Sequence, residues 1–167
     1  MKKNILKFLP LVAMALMAFT FVACGDDDDD NNNGGSTSQE VRGQVTLVTA
    51  GQFCEYVEGT IKITGPDGTK SEATIKDGTN TVYVPIKNYP VECKVEVNLT
   101  KKKSISDDAK PSLGYGFGRG FYKTGSLNAS VSANLVSGVK DATLDKMITN
   151  LNAKTGTISI SSFSEAQ

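Results

Sequence analysis

The eight residues from Gly114 to Phe121, "GYGFGRGF", alternate strictly between glycine and a large side chain. In an extended chain Tyr115, Phe117, Arg119 and Phe121 share one face and the four glycines share the other, because side chains alternate across a strand. Aromatic rings beside a guanidinium stack on a sugar, a base or a partner's side chain. These four residues, with neighbouring Tyr122, are therefore the candidate ligand-binding set. The bare glycine face lets another backbone or sheet approach closely. A structural role competes with the platform: the aromatics close the bottom of a core that is short of rings, and the glycines bend the strand. A phosphate loop is excluded, since the stretch has neither the Walker spacing nor a strand-to-helix setting.

Catalytic groups are scarce. The chain has no histidine, which removes the usual general base near neutral pH and the commonest transition-metal ligand. Neither serine nor Cys54 and Cys93 then has an imidazole to activate it. Glu55, Glu58, Glu92 and Glu96 supply carboxylates for glycoside hydrolysis by composition alone. Glu92 and Glu96, however, fall on the solvent side of their alternating run, where a solvated acid is the ordinary outcome. No catalytic residue, cofactor or metal site is expected. Asp26–Asp30 lacks the spaced ligands and turn glycine of a calcium loop. Removing Lys2, Lys3, Lys7, Asp26–Asp30 and Glu40 from the 18 basic and 18 acidic residues leaves a body with 15 basic and 12 acidic. That excess is too small and too scattered for nucleic acid.

The first segment, "MKKNILKFLPLVAMALMAFTFVAC", has a basic start, an apolar stretch from Phe8 to Val22, then Ala23 and Cys24. This is the order of a secretory signal. As a helix, Phe8 to Ala23 reaches only about 24 Å, short of a hydrocarbon core of about 30 Å, and Pro10 interrupts it. "FVAC" resembles a bacterial lipobox, in which the cysteine is lipidated and becomes the first residue of the mature chain. Ala23 fits that pattern, whereas Phe21 departs from the leucine usual at its start. Stable anchoring takes at least two acyl chains at about 0.8 kcal/mol per buried CH₂. The following "CGDDDDD" resembles the start of surface lipoproteins from Bacteroidota-type bacteria, whose acidic run directs export to the outer face. The resemblance covers about 30 residues and implies an address: the outer membrane, lipid-anchored through Cys24 and displayed at the cell surface. The alternative is that the aspartates act as a solvated spacer only and the protein faces the periplasm. Residues 24–40 hold no apolar side chain after Cys24 and form a tether of about 22 Å r.m.s. if they behave as a flexible coil.

These side chains need a scaffold, and from Val41 the apolar period is two. "VRGQVTLVT", "YVEGTIKITG", a short run with Ala73 and Ile75, "TVYVPIKN", "VECKVEVNLT", "SLNASVSANL" and "TISISSF" read as strands, parted by Asp-Gly turns. Alternation puts one face of each in water, so the sheets are antiparallel, and Pro85 marks an edge or a bulge. "DATLDKMITNLNAKTG" changes period. Leu144, Met147, Ile148 and Leu151 give a helix of about three turns, with Asp141 or Thr143 as N-cap and Gly156 as stop, covering an edge or an open end. The fold class is mainly β: a two-sheet antiparallel β-sandwich, Ig-like or transthyretin-like, with one short helix between the last two strands. A small barrel is the alternative. The domains are a signal peptide (1–23), a tether (24–40) and one sandwich (41–165). Outside the cytoplasm Cys54 and Cys93 are a disulfide candidate, although Cys93 lies inward in its strand and Cys54 is out of phase, so two separate thiols remain open. The expected function is a non-catalytic surface module that binds a glycan or a surface protein. The alternatives are a structural accessory subunit of a surface complex and a periplasm-facing lipoprotein or small inhibitor.

Overall fold

The structure, a computed structural model, describes residues 40–124 and 131–167. The signal segment, Cys24 and Asp26–Asp30 lie outside the described residues. Eight strands form two four-stranded antiparallel sheets. They are β1 (Val41–Gly51), β2 (Val57–Thr64), β3 (Lys70–Thr74), β4 (Gly78–Ile86), β5 (Val91–Lys101), β6 (Ser112–Lys123), β7 (Asn134–Ser137) and β8 (Gly156–Ile160). The first sheet has the order β4-β1-β6-β7 and the second β3-β2-β5-β8. A one-turn helix, α1 (Phe53–Tyr56), joins β1 to β2, and α2 (Asp141–Asn152) lies between β7 and β8. The molecule is a two-sheet β-sandwich with one short helix between its last strands. In the immunoglobulin layout the first two strands share a sheet; here β1 and β2 lie in opposite sheets.

The two-residue period of the sequence becomes the core. Val45, Leu47, Ile61, Ile63, Val95 and Leu113 point between the sheets and are fully buried. Burial of each such side chain contributes about 1.5–3 kcal/mol. Three polar residues among those described are also buried, Thr46, Thr49 and, at 3 % exposure, Asn80. Its amide donates to the carbonyls of Leu47 and Lys76, and its oxygen accepts the Lys76 N–H. The crossover from β3 to β4 is thereby fastened to β1 without an unmet polar group, as burial requires. Pro85 stands in β4, an edge strand, where a missing N–H costs no ladder bond.

Helix α2 buries Leu144, Met147, Ile148 and Leu151, the four residues its period picked out. Its ends differ from the sequence expectation. Lys140 occupies the N-cap position. The carboxylate of Asp141 instead accepts the Ile105 N–H at 2.9 Å and pairs with Lys101 at 3.0 Å. Gly156 does not stop the helix, which ends at Asn152; it opens β8. The helix end covers the edge of β5 beyond its pairing with β8. Asn152 accepts the Leu99 N–H and donates to the Leu99 carbonyl, and Thr155 does the same at Val97. Two side chains thus continue the ladder where the strand has ended.

Two other expectations shift. Of the expected strand over residues 126–135, the described part, from Val131, is paired only from Asn134, where β7 begins; Leu127 and Ala129 lie outside the described residues. The glycine-aromatic stretch, absent from the strands that the apolar period marks, is β6, paired with β1 from Leu113 to Lys123.

Candidate binding face

The register of β6 against β1 decides where its side chains go. Tyr115 pairs with Thr49, Phe117 with Leu47, Arg119 with Val45 and Phe121 with Gly43. These β1 residues face the interior, so the aromatic face of β6 also turns inward. Phe121 is buried, and Tyr115 and Phe117 pack partly buried against the core. The ring of Tyr115 lies 6.1 Å from that of Phe53, centroid to centroid. Arg119, inward in register but exposed at the rim, donates to the Lys154 carbonyl after α2. The five candidate ligand-binding residues therefore do not meet on one surface. Tyr115, Phe117 and Phe121 complete the core, Arg119 ties β6 to the helix end, and Tyr122 alone stands on the opposite face.

That opposite face is where the glycines act. A Cβ on Gly116 would stand 2.1 Å from the Ser132 carbonyl oxygen, and one on Gly118 would stand 2.5 Å from Val131 Cγ2. The close approach expected of the glycine face is made by the chain itself, by the residues leading into β7. At Gly120 the neighbour is Tyr122, whose ring atoms come within 3.5 Å of the added Cβ position. The ring lies down over the glycine.

Around Tyr122 the outward side of the first sheet has an unusual make-up. Arg42 on β1 is opposite Tyr122 on β6 and Pro85 on β4, and Gln44 is opposite Gly120 and Tyr83. The guanidinium carbon of Arg42 sits 4.5 Å from the centre of the Tyr83 ring, a cation–π contact. Tyr83 is 46 % exposed. The hydroxyls of Thr46 and Thr81 meet at 3.2 Å, and Gln44 donates to Thr46. No aspartate, glutamate or lysine occupies an outward position on β1, β4, β6 or β7. The second sheet is the reverse, with Lys62, Lys70 and Lys94 and Glu58, Glu72, Glu92 and Glu96 outward. There Glu96 lies between Lys62 at 3.3 Å and Lys94 at 3.1 Å. Hydrogen bonds from Lys94 and Lys62 hold its carboxyl below the usual range. The outward positions of the first sheet thus hold two tyrosines and an arginine, residue types over-represented at recognition surfaces, and no lysine or acid.

Reasoning from sequence overlooked Arg42, Gln44 and Tyr83. A signal for them was present: the wet positions of "VRGQVTLVT" hold no lysine or glutamate and those of "TVYVPIKN" only Lys87, whereas Glu92, Lys94 and Glu96 fill the wet positions of "VECKVEVNLT".

The disulfide candidate is not formed: Cys54 and Cys93 are both free thiols. Cys54 lies in α1, just before Val57, which pairs with Lys101. Cys93 is eight residues back along β5 from Lys101, about 26 Å at the rise of a strand, and a bridge needs Cα atoms within about 7 Å. Burial pushes the Cys93 thiol up to about 11, and nearby Asp67 adds to this. Burial also raises Cys54, whose thiol donates to the Thr49 hydroxyl at 3.6 Å. The lysine run at the end of β5 is engaged in part. Lys101 pairs with Asp141 and Asp145, and Lys103 lies over the Tyr56 ring and near Glu55. Comparisons with protein-family models, with curated proteins and with solved structures each found no match.

Proposed function

We propose that this chain is a lipoprotein held in the outer membrane by acyl chains on Cys24 and displayed at the cell surface, and that its sandwich is a non-catalytic binding module. The order of basic start, apolar stretch, "FVAC" and acidic run supports the address. The observation that carries the binding role is the contrast between the two outward faces. One is charged and solvated, and the other bears Arg42, Gln44, Tyr83 and Tyr122 without an acid or a lysine. The non-catalytic reading rests on the absence of histidine and on Glu92 and Glu96 standing on the solvated face. A structural accessory role has one observation of its own: Leu135 and Val136 on β7 are 58 % and 49 % exposed, apolar area that a larger complex would cover.

The test is photo-cross-linking on intact cells. A photoreactive residue replaces Thr79, on the outward face of β4, or Asn98, on the outward face of β5. Adducts from the Thr79 position alone are the expected result. Equal adducts from both positions, or none from either, would remove the first sheet as the recognition face. Protease added to the same cells should cut the tether; full protection would return the protein to the periplasmic side. Cys24→Ser should release the chain from membranes washed at high salt.

A further inference from the structure

Arg42 is the cation among the outward positions of the first sheet's strands. It is half-buried in the middle of a sheet, stacked on Tyr83, and no carboxylate among the described residues pairs with it. Arg119, by contrast, is spent on the Lys154 carbonyl, and Lys62, Lys94, Lys101 and Lys103 each have an acid. The stack fixes a guanidinium in place while leaving N–H donors at its edge, and a guanidinium presents five such donors in a planar fork that matches a carboxylate. On either side are aromatic rings: Tyr83 on β4, and Tyr122 directly across on β6, lying over Gly120. The two ring-bearing strands are about 10 Å apart with β1 between them. Gln44 adds an amide at the next level, beside the Thr46–Thr81 hydroxyl pair. The cluster sets the unpaired Arg42 guanidinium between two rings and beside uncharged hydrogen-bonding groups.

We propose that Arg42, Tyr83 and Tyr122 form a subsite for a carboxylate-bearing sugar, the carboxylate held by the Arg42 fork and the sugar ring lying on Tyr122. The assignment rests on the first sheet being the recognition face, and it names the ligand class for that face. Charge complementarity selects the acid: Arg42 is the cation among the outward positions of the four strands, the nearest carboxylate along the chain is Glu40 at the rim before β1, and no ion pair joins the two, so a ligand carboxylate finds an unpaired guanidinium. The flat ring over Gly120 selects the sugar, whose C–H face stacks on an aromatic plane. Gly120 is then a determinant of the site as well as of the strand, because a larger side chain there would lift the Tyr122 ring off the sheet.

The experiment measures binding of matched saccharide pairs to the full acylated chain in detergent. The probes are oligogalacturonate with its methyl ester, and 3′-sialyllactose with lactose. The acidic member of at least one pair should bind about tenfold or more tightly than the neutral one, the scale of one charge-assisted contact. Added salt should narrow that gap. Arg42→Gln should abolish the preference, Arg42→Lys should restore part of it, and Tyr122→Ala should weaken both members of the pair. Unchanged thermal melting of each variant separates loss of the site from loss of the fold. Equal binding within both pairs, or a preference that survives Arg42→Gln, overturns the proposal. Failure of all four saccharides overturns it too. If Thr79 cross-linking then yields a protein adduct, the recognition face stands and only the sugar assignment falls.

Discussion

Cys93 shows how phase in the sequence translates into chemistry. It shares the inward side of β5 with Val91, Val95 and Val97 and is fully buried, and its thiol is pushed up to about 11. At pH 8 such a group is a thiolate only about one part in a thousand, and its side chain is sealed in the core. Alkylation of the native protein should therefore mark Cys54, which is only half-buried, well before Cys93. Both should react quickly in denaturant, and intact mass should show two free thiols in the mature body. Equal labelling of the two at early times, or a mass two hydrogens short, would contradict the arrangement. The inward position of Cys93 was legible in the sequence, and so was the awkward phase of Cys54. What was not legible was the reason: a one-turn helix at the far end of β5, which sets the two sulfurs apart. The ligand-binding candidates failed at the same scale. Alternation grouped Tyr115, Phe117, Arg119 and Phe121 correctly on one face but gave no means of telling which face was wet, because glycines occupied the other.

At the scale of elements, β6 is the strand that the apolar period does not mark. Glycine is disfavoured in strands, so four of them at alternate positions hide the period that valines and isoleucines advertise elsewhere. The register explains their use. Gly116 and Gly118 admit residues 131 and 132 on the outer face, and Gly120 receives the Tyr122 ring. The three positions should respond differently to the same change. Gly116→Ala places a methyl group 2.1 Å from the Ser132 carbonyl oxygen, backbone that has no rotamer to escape into. It should cost about 1–3 kcal/mol, the range for overpacking. Gly120→Ala meets only the Tyr122 side chain at 3.4 Å and should cost under about 1 kcal/mol. Chemical denaturation of the two variants checks the ratio, and equal losses would mean that residues 131–134 do not lie on the glycine face. Helix α2 was easier to read, since its apolar spacing is unambiguous. Its work on the edge of β5 was foreseen only in outline, because Asn152 and Thr155 carry no sequence signature of the backbone groups they satisfy.

For the whole molecule, the sandwich was legible because nearly every strand alternates, whereas the strand order was not, because alternation is silent about neighbours. The pairing of β5 with both β2 and β8, and its cover by α2, makes the second sheet the place where several ionised groups join distant segments. Asp141 is held below the usual carboxylate range first by the Ile105 N–H and then by Lys101. Glu96 is lowered by Lys94 and Lys62, and Asp67 by the Thr69 N–H. Lys101 is raised in turn by Asp145 and Asp141. Each lowered carboxyl binds fewer protons in the folded chain than in the unfolded one. Its contribution is therefore complete above the unfolded value, about 4, and is lost as pH falls through the lower folded value. The fold should accordingly lose stability below about pH 4. Asp141→Asn isolates one share of that slope. An asparagine oxygen still accepts the Ile105 N–H, so the variant loses the charge that faces Lys101 while keeping the backbone contact. Its urea midpoint should lie below that of the parent at pH 7, and the gap should close as the pH is lowered past the point where Asp141 itself takes up a proton. A gap that stayed constant down to pH 2 would mean that packing, not charge, couples α2 to β5. The acid limb would then have to come from Glu96 and Asp67 alone.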